Sequence, residues 1–465
     1  MHERRRGWFS SLGHLIRTDH TSHAMTATLP IIDDAMAVRI LDLAVRIGET
    51  MLATGAPASE VTLTIIRSAA AYGLDPVHVD VTYNSITAAH HRSGAARPIT
   101  LMRVVRVTAP DHTKLQRLQA LVNEIARGLD LEAAREQYRA IRSAPFRYPP
   151  LMVVSSQALL AGGVSLVFGA NLLVFVIAYF AGAMAALTQF ALAKVRVPFF
   201  FSQIAGAFVL TMVAAASPLL AQTGLVAEGV VRPTMIVASA IVLMLAGLTV
   251  VGAAQDAIDG FALTALGRIL DLTINTLGVV LGILAGLQFA GLIGITMAPP
   301  TAALPFGTIP LQFLGAVMIA IAVTVYNGAG IRIVLVSAAL SLVAWAGFLG
   351  ATLVGLETAA ASGIGAFSAS FLGIVVAYRL HVPSVAIATA AILPMVPGGA
   401  VFRGLLGIVE AGEDPQLMLA GFAALAAAAV VGMSLAVGAT LGIYLGQPVR
   451  ASLGSVIRGR ARIRR

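Results

Sequence analysis

The sequence predicts an α-helical polytopic membrane protein with about ten transmembrane helices in two five-helix halves, preceded by a small α+β region. Composition is the first observation: 58% of the 465 residues are hydrophobic and 11% are charged, whereas soluble domains carry about 25% charged residues. The second observation is distribution, because charged residues are frequent before Tyr148 and rare from there to Gln447. A soluble core could not bury so many apolar side chains, so most of the chain is expected to lie in a bilayer.

Composition divides the chain into five segments. Residues 1–32 are expected to be a flexible basic tail, and residues 33–148 a soluble α+β domain on the cytosolic side. Residues 149–297 and 298–447 are the two membrane halves, and residues 448–465 are a basic cytosolic tail.

Two periodicities predict the α+β region. Polar residues recur at three- and four-residue steps from Arg39 to Glu49, which indicates an amphipathic helix, and Gly55-Ala56-Pro57 separates it from a second helix. From Val77 apolar and polar residues alternate, as in a half-buried strand. More strand and a turn at Arg92-Ser93-Gly94 follow, then a helical pair from Asp111. The predicted order is two helices, an antiparallel sheet and two helices.

Ten apolar windows follow, each of about the 20 residues that a bilayer-spanning helix needs. They cover residues 152–169, 171–193, 198–222, 234–255, 272–296, 310–326, 332–353, 360–378, 383–409 and 417–445. A proline break at residues 298–300 divides them five and five. Related halves with an odd number of spans have opposite orientations, and the fourth span of each half has a small-residue break. An inverted repeat, as in many transporters, is therefore one interpretation.

Loop charges orient the bundle, because lysine and arginine in short loops favour the cytoplasm. With both termini inside, most loop cations and the arginines of the C-terminal tail are cytoplasmic, while Arg232 and Arg403 fall outside. Much of the net charge of +9 lies in the two tails. This placement favours anionic membrane lipid, and not nucleic acid, as the partner of the tails.

The motifs argue against an enzyme. The chain has no cysteine, which excludes disulfides and thiolate chemistry, and it has no G-x-S-x-G, H-E-x-x-H or P-loop pattern. No cofactor or metal is expected. The alternative of another class is a membrane-anchored hydrolase that uses His78, Asp80, Ser85, His90 and His91. The spacing opposes it, since His90 and His91 point to opposite faces of a strand.

Polar residues at bilayer depth are candidates for substrate binding or ion coupling, since a charge there costs about 2.5–3.5 kcal/mol. The first group is Gln255, Asp256, Asp259, Thr264 and Arg268. Asp256 and Asp259 lie three apart and are predicted to share a helix face. Either they line a cavity, where one binds a proton or a substrate ammonium with Arg268 as counter-charge, or they are loop carboxylates that cap the next helix.

The second group is Pro394, Pro397, Gly398, Gly399 and Arg403. The prolines remove backbone donors and the glycines remove side-chain cover, so amides and carbonyls are free at mid-membrane. Half-helix ends of this kind suit a zwitterion. Arg403 either holds a substrate carboxylate or faces the external headgroups. The competing interpretation is a kink that serves packing alone.

Four segments carry a resemblance to a known family. They are Gly48-Glu49-Thr50 through Gly55-Ala56, Val79-Asp80-Val81-Thr82, Leu245 through Ala265, and Leu393-Pro394-Met395-Val396-Pro397-Gly398 with Phe402-Arg403-Gly404-Leu405. The last is the most specific, since an apolar Pro-x-x-Pro-Gly followed by aromatic-Arg-Gly-Leu is rare by chance. From about Asp34 to Gly446 the chain resembles the bacterial threonine/serine exporter family, in its fused form.

The resemblance implies a secondary transporter of the bacterial inner membrane that exports threonine and serine, driven by the proton motive force through proton antiport. A small amino acid, protons and membrane lipid are the expected partners, and a homo-oligomer is a possible assembly. Two-component relatives that look like dicarboxylate exporters supply the rival function, export of a succinate-like dicarboxylate.

Overall fold

A computed structural model describes residues 33–91, 97–106, 110–222, 230–244, 247–295, 297, 304–380 and 384–463. The predicted basic tail at residues 1–32, the turn at residues 92–94 and the proline break at residues 298–300 lie outside the described residues.

The N-terminal region (residues 33–148) has the predicted order of elements. They are α1 (Asp34–Ala53), α2 (Ala58–Ala71), β1 (Val77–Thr82), β2 (Ser85–His90), β3 (Ile99–Val104), α3 (His112–Ile125) and α4 (Leu131–Ser143). The strands form one antiparallel sheet in the order β1-β2-β3. As the alternation predicted, Val77 and Val81 are buried while His78 and Asp80 are exposed. The helices and the sheet enclose a hydrophobic core of their own.

The membrane part is helical from Pro150 onward. Its helices are α5 (Pro150–Val167), α6 (Leu172–Lys194), α7 (Phe199–Ala216), α8 (Leu219–Gln222), α9 (Pro233–Met244), α10 (Gly247–Ile258), α11 (Ala262–Leu292), α12 (Ile309–Tyr326), α13 (Ile331–Leu353), α14 (Thr358–Leu380), α15 (Ser384–Ile392), α16 (Gly398–Ala411) and α17 (Pro415–Ile463).

The number of spans differs from the prediction. Among the described residues, eight helices are long and apolar enough to cross a membrane, and the pair α15–α16, bent by 52°, makes nine if it is one span. The predicted span at residues 234–255 corresponds to α9 and α10, of 12 residues each. Residues 245 and 246, between these two helices, lie outside the described residues. The count of ten is therefore not confirmed.

Two helix boundaries also differ from the sequence expectation. Helix α11 begins at Ala262, well before the predicted start at Leu272. The charges that suggested a loop, Arg268 and Asp271, instead find partners in α10 and the N-terminal region. Helix α17 continues through residue 448 to Ile463, so the predicted tail begins as an extension of the last helix.

The two halves share one plan. Their first three helices begin at residues 150, 172 and 199 and at residues 309, 331 and 358, a constant offset of 159. The left-handed turn after the first helix recurs at the same offset, at Gly169 (φ 77°) and Gly328 (φ 71°). In each half two shorter helices, α9 and α10 or α15 and α16, precede a long helix, α11 or α17. These correspondences support the interpretation of the halves as structural repeats.

Packing between the halves follows the same plan. The first helices, α5 and α12, pack against each other, and a Cβ added at Gly315 would lie 2.6 Å from the carbonyl oxygen of Gly163. Glycine is required there because the backbones approach so closely. Helix α10 packs against α17, and α16 packs against α11. Each broken helix therefore contacts the fifth helix of the other half.

Candidate functional site

The break between α15 and α16 forms the candidate site. After Ile392 the chain makes a 3-10 turn, Leu393–Met395, and α16 then starts at Gly398 with no side-chain cap at Pro397. Pro394 and Pro397 lack backbone N–H groups, so the helix cannot run through. The prolines therefore interrupt the helical hydrogen-bond pattern, although the backbone N–H groups of Gly398, Ala400 and Val401 still donate to the carbonyls of Val396 and Pro397.

A cavity of about 90 Å³ lies beside this break. On the same scale a water molecule needs about 10–15 Å³, so the space suits a solute of about six to nine non-hydrogen atoms. The lining comes from both halves and is largely apolar. It consists of Val164, Val167, Phe168, Ala238, Ile241, Val242, Leu304, Phe306, Ile319, Leu393, Pro394, Val396, Gly399, Phe402 and Arg403.

Arg403 supplies the charge of this cavity. It lies one turn after Gly399 on α16, and a Cβ added at Gly399 would be 3.3 Å from its Nη1 atom. Within the described parts of the chain no carboxylate lies within 4 Å of its guanidinium. The donors of this half-buried guanidinium are available to an anion, and a carboxylate matches its planar fork.

The first predicted group does not line the cavity. Asp256 is fully buried; its Oδ2 atom lies 3.1 Å from Nε of Arg268, and its Oδ1 atom accepts a hydrogen bond of 3.3 Å from the backbone N–H of Ala58. It therefore caps α2 of the N-terminal region, and not the helix that follows it. Asp259 lies beyond the end of α10 and is exposed, so the predicted shared helix face is wrong.

Thr264 joins Asp256 in this contact. Its hydroxyl donates to the carbonyl of Val81 at 3.2 Å and accepts from the backbone N–H of Tyr83 at 3.0 Å. The Tyr83 hydroxyl donates to Asp271. Burial raises the pKa of Tyr83 to about 12, and the bond to Asp271 adds to that shift. Gln255 is half-buried and lies outside the cavity lining.

Two glutamines outside the predicted site groups bridge helices at the end of α9. Gln203 donates through Nε2 to the carbonyl of Met244, at the end of α9, at 2.9 Å, and accepts from Nε2 of Gln189 at 2.7 Å. A free carbonyl in an apolar interior costs several kcal/mol, and this chain of amides satisfies it. The signal in the sequence was the presence of two glutamines in otherwise apolar spans.

Phe306, which was not among the predicted site residues, lines the cavity at the loop between the halves. Its ring stacks on Phe168 and meets Trp345 and Phe348 edge to face, with centroids 5.7–6.3 Å apart. Gln312 fixes this loop by donating to the carbonyl of Gly307 while accepting from the indole N–H of Trp345. The Phe306 ring therefore forms part of the cavity wall and is held there by aromatic side chains of both halves.

The residues of the hydrolase alternative do not assemble into a triad. His90 is buried, with Nδ1 2.8 Å from the carbonyl oxygen of Pro76. His78 and Asp80 are exposed, and the Ser85 hydroxyl bonds to Thr82. No group of three potential metal ligands occurs in the described residues.

Comparison with known proteins identifies the family. Models described as threonine/serine exporter match residues 42–290 and residues 312–444. The chain belongs to the threonine/serine exporter family. It is 31% identical over 433 residues to a "Probable threonine/serine exporter" of Mycobacterium tuberculosis, covering 91% of this chain and 80% of that protein. It is 30% identical to a "Threonine/serine exporter" of Corynebacterium glutamicum, covering 91% of this chain and 86% of that protein.

The apolar helices and the family together make this chain a multi-pass membrane exporter. No solved structure matches it.

Proposed function

We propose that this exporter moves threonine and serine out of the cytoplasm, driven by the proton motive force, and that the cavity at the α15–α16 break holds the amino acid. The observation that carries the proposal is Arg403, which lies beside a broken helix with no carboxylate partner among the described residues. Threonine and serine, with eight and seven non-hydrogen atoms, are within the size that the cavity suits. The names of the two relatives point to the same substrates.

Both ends of a zwitterion find complementary groups there. The carboxylate pairs with the Arg403 guanidinium near the N-terminus of α16, which carries the positive end of the helix dipole. The ammonium is stabilised by carbonyls at the end of α15 and in the turn Leu393–Met395, where the dipole is negative. The broken helix thus supplies partners of both signs without an acidic side chain.

The same cavity argues against the dicarboxylate alternative. Arg403 is the one charged residue in the described lining, and most of the other groups are apolar. A second carboxylate would be buried without a counter-charge, which costs several kcal/mol. A substrate with a single carboxylate therefore fits better than succinate.

The proposed orientation places the N-terminal region in the cytoplasm and the protein in the bacterial inner membrane, with both termini inside. Loop cations support it, because the loops on the side of the N-terminal region carry Lys194, Arg196 and Arg332. In this orientation Arg232, at the start of α9, and the cavity lie toward the external side of the membrane.

The test is efflux of labelled threonine, serine and succinate from preloaded cells that express the chain, with and without an uncoupler. Uncoupler-sensitive loss of threonine and serine, without loss of succinate, is the expected result. Efflux of succinate alone would show that the substrate is a dicarboxylate and not an amino acid. Efflux that persists unchanged with the uncoupler would remove the proton motive force from the proposal, and no efflux of any of the three would contradict export of these substrates.

A further inference from the structure

The N-terminal region contacts both halves of the membrane bundle. On the second half it meets the turn between α12 and α13, where the backbone N–H of His112 donates to the carbonyl of Asn327 at 2.8 Å and the Tyr148 hydroxyl donates to that of Ala329 at 2.6 Å. Tyr148 lies directly before α5, so this contact is next to the covalent connection and is expected to persist.

The contact with the first half has a different character. It joins segments about 180 residues apart in sequence through the Asp256 bond to Ala58 and the Thr264 bonds to Val81 and Tyr83. Phe261, in the turn between α10 and α11, packs against the core of the N-terminal region. Residues 256–271 and their partners in the N-terminal region are called the clamp below.

The clamp and the cavity lie in different parts of the bundle. The clamp involves the end of α10 and the start of α11, whereas the cavity is lined by the end of α5, the second half of α9, the α15–α16 break and the loop at Phe306. Helix α10 continues the broken α9 toward the clamp, and α11 packs against α16, which carries Arg403. Movement at the clamp is therefore transmitted to both broken helices.

We propose that the clamp holds the N-terminal side of the bundle closed and that it must release once in each transport cycle, with Asp256 and Thr264 as positioning residues. The reason is geometric. A cavity that extends toward one end of the bundle can open to the other end only if the helices at that other end separate. The clamp ties α10 and α11 to the N-terminal region, which is also anchored on the second half. The inference concerns the same cavity as the proposed function and rests on it only for the substrate used as a readout.

A reversible cross-link tests the release. A Cβ added at Gly267 would lie 3.2 Å from Cβ of Tyr83, and a disulfide needs a Cβ separation of about 3.5–4.5 Å. The chain has no cysteine, so the double variant Tyr83→Cys/Gly267→Cys offers a single pair. Oxidation should reduce threonine efflux by at least about tenfold and a reductant should restore it. The two single-cysteine variants, treated identically, are the controls.

A second measurement does not depend on the substrate. The cavity residue Val242 is replaced in Val242→Cys, and its labelling by an impermeant maleimide is measured in inside-out vesicles. This substitution is combined with Thr264→Val or with Thr273→Val. Thr273 is the control because its hydroxyl donates to the carbonyl of Ile269 in the same helix. Thr264→Val should raise the labelling rate several-fold and Thr273→Val should leave it unchanged.

The outcomes separate the two proposals. Full efflux by the cross-linked protein, or equal labelling of the two threonine variants, would overturn the clamp. Labelling that responds to Thr264→Val in a protein that exports no threonine would retain the clamp and reject the proposed substrate.

Discussion

The fourth spans of the two halves occupy equivalent places in this exporter, yet the backbone groups at their centres are satisfied differently. At the end of α9 the carbonyl of Met244 accepts a hydrogen bond from Gln203, which Gln189 holds in place. At the α15–α16 break the backbone N–H groups of Val396 and Gly398 donate to carbonyls of the break itself, and Arg403 lines the adjacent cavity with no carboxylate of the described residues within 4 Å of its guanidinium.

The difference separates structure from function within one fold. A break whose polar groups are satisfied by the protein can serve as a hinge, and it needs nothing from outside. A break that places a guanidinium without a carboxylate partner beside a cavity leaves that charge available to a ligand, as the proposed function requires. The side chains around the two breaks therefore differ in the way that the proposed function requires.

The largest expected effect comes from removing the charge at the second break. Arg403→Gln should raise the apparent KM for threonine efflux about tenfold to hundredfold, since a hydrogen bond to a charged group contributes about 1.5–3 kcal/mol. Efflux kinetics at several internal threonine concentrations measure it. Arg332→Gln, an exposed arginine at the start of α13, is the matched control. Equal kinetics for Arg403→Gln and the control would remove the cavity as the binding site.

Uncapping the first break should affect stability more than binding. Gln203→Leu leaves the Met244 carbonyl without its donor, at a cost of about 1–3 kcal/mol. The midpoint of thermal unfolding in detergent should fall by several degrees, while the KM of the remaining activity stays near the wild-type value. Gln416→Leu, at an exposed position, should leave the midpoint unchanged. A selective rise in KM instead would mean that both breaks bind substrate.

A smaller effect is expected at the aromatic closure of the cavity. Phe306→Ala removes contacts with Phe168, Trp345 and Phe348, and such ring pairs contribute about 0.5–1.5 kcal/mol each. Exchange of labelled threonine across the membrane should rise a few-fold because the closed state is less favoured. Phe180→Ala, on an exposed face of α6, is the control. Slower exchange in Phe306→Ala would show that the ring binds the substrate instead of enclosing it.

The smallest effect concerns the pH dependence of the stability of the N-terminal region. Glu60 lies on α2, the helix whose first residue, Ala58, bonds to Asp256 at the end of α10. Burial raises the pKa of Glu60 above 4.5, although a hydrogen bond from Gln119 opposes the shift. The folded protein favours the protonated Glu60 carboxyl. Its contribution to the free energy of unfolding is therefore complete below pH 4.5 and is lost as the pH rises through the pKa of the folded state.

Glu60→Gln keeps an acceptor for Gln119 without the charge. The variant should therefore melt at a higher temperature than the wild type at neutral pH, and the difference should shrink as the pH is lowered toward 4.5. Glu124→Gln, at an exposed position on α3, should show no such trend. A difference that grows on acidification would contradict the direction given for the pKa.

Several features were predictable from local pattern alone. Alternation placed β1 and its buried valines, and the Pro394-x-x-Pro397-Gly398 segment located the second break, because proline disrupts a helix wherever it lies. The group around Asp256 was not predictable in the same way. Its carboxylate is buried by residues about 200 positions earlier in the chain, and no local pattern records such a contact.

The sequence by itself determined that this chain is a helical membrane protein with a small mixed α+β region, which families it resembles, and where its helices break. Hydrophobic periodicity and proline chemistry act over a few residues, so helices and their breaks can be predicted directly from the sequence. Only the tertiary structure decided that Asp256 and Thr264 fasten the N-terminal region, that Gln203 satisfies one break, and that Arg403 meets a cavity at the other. The physical reason is that the partner of a buried polar group is set by packing between distant segments.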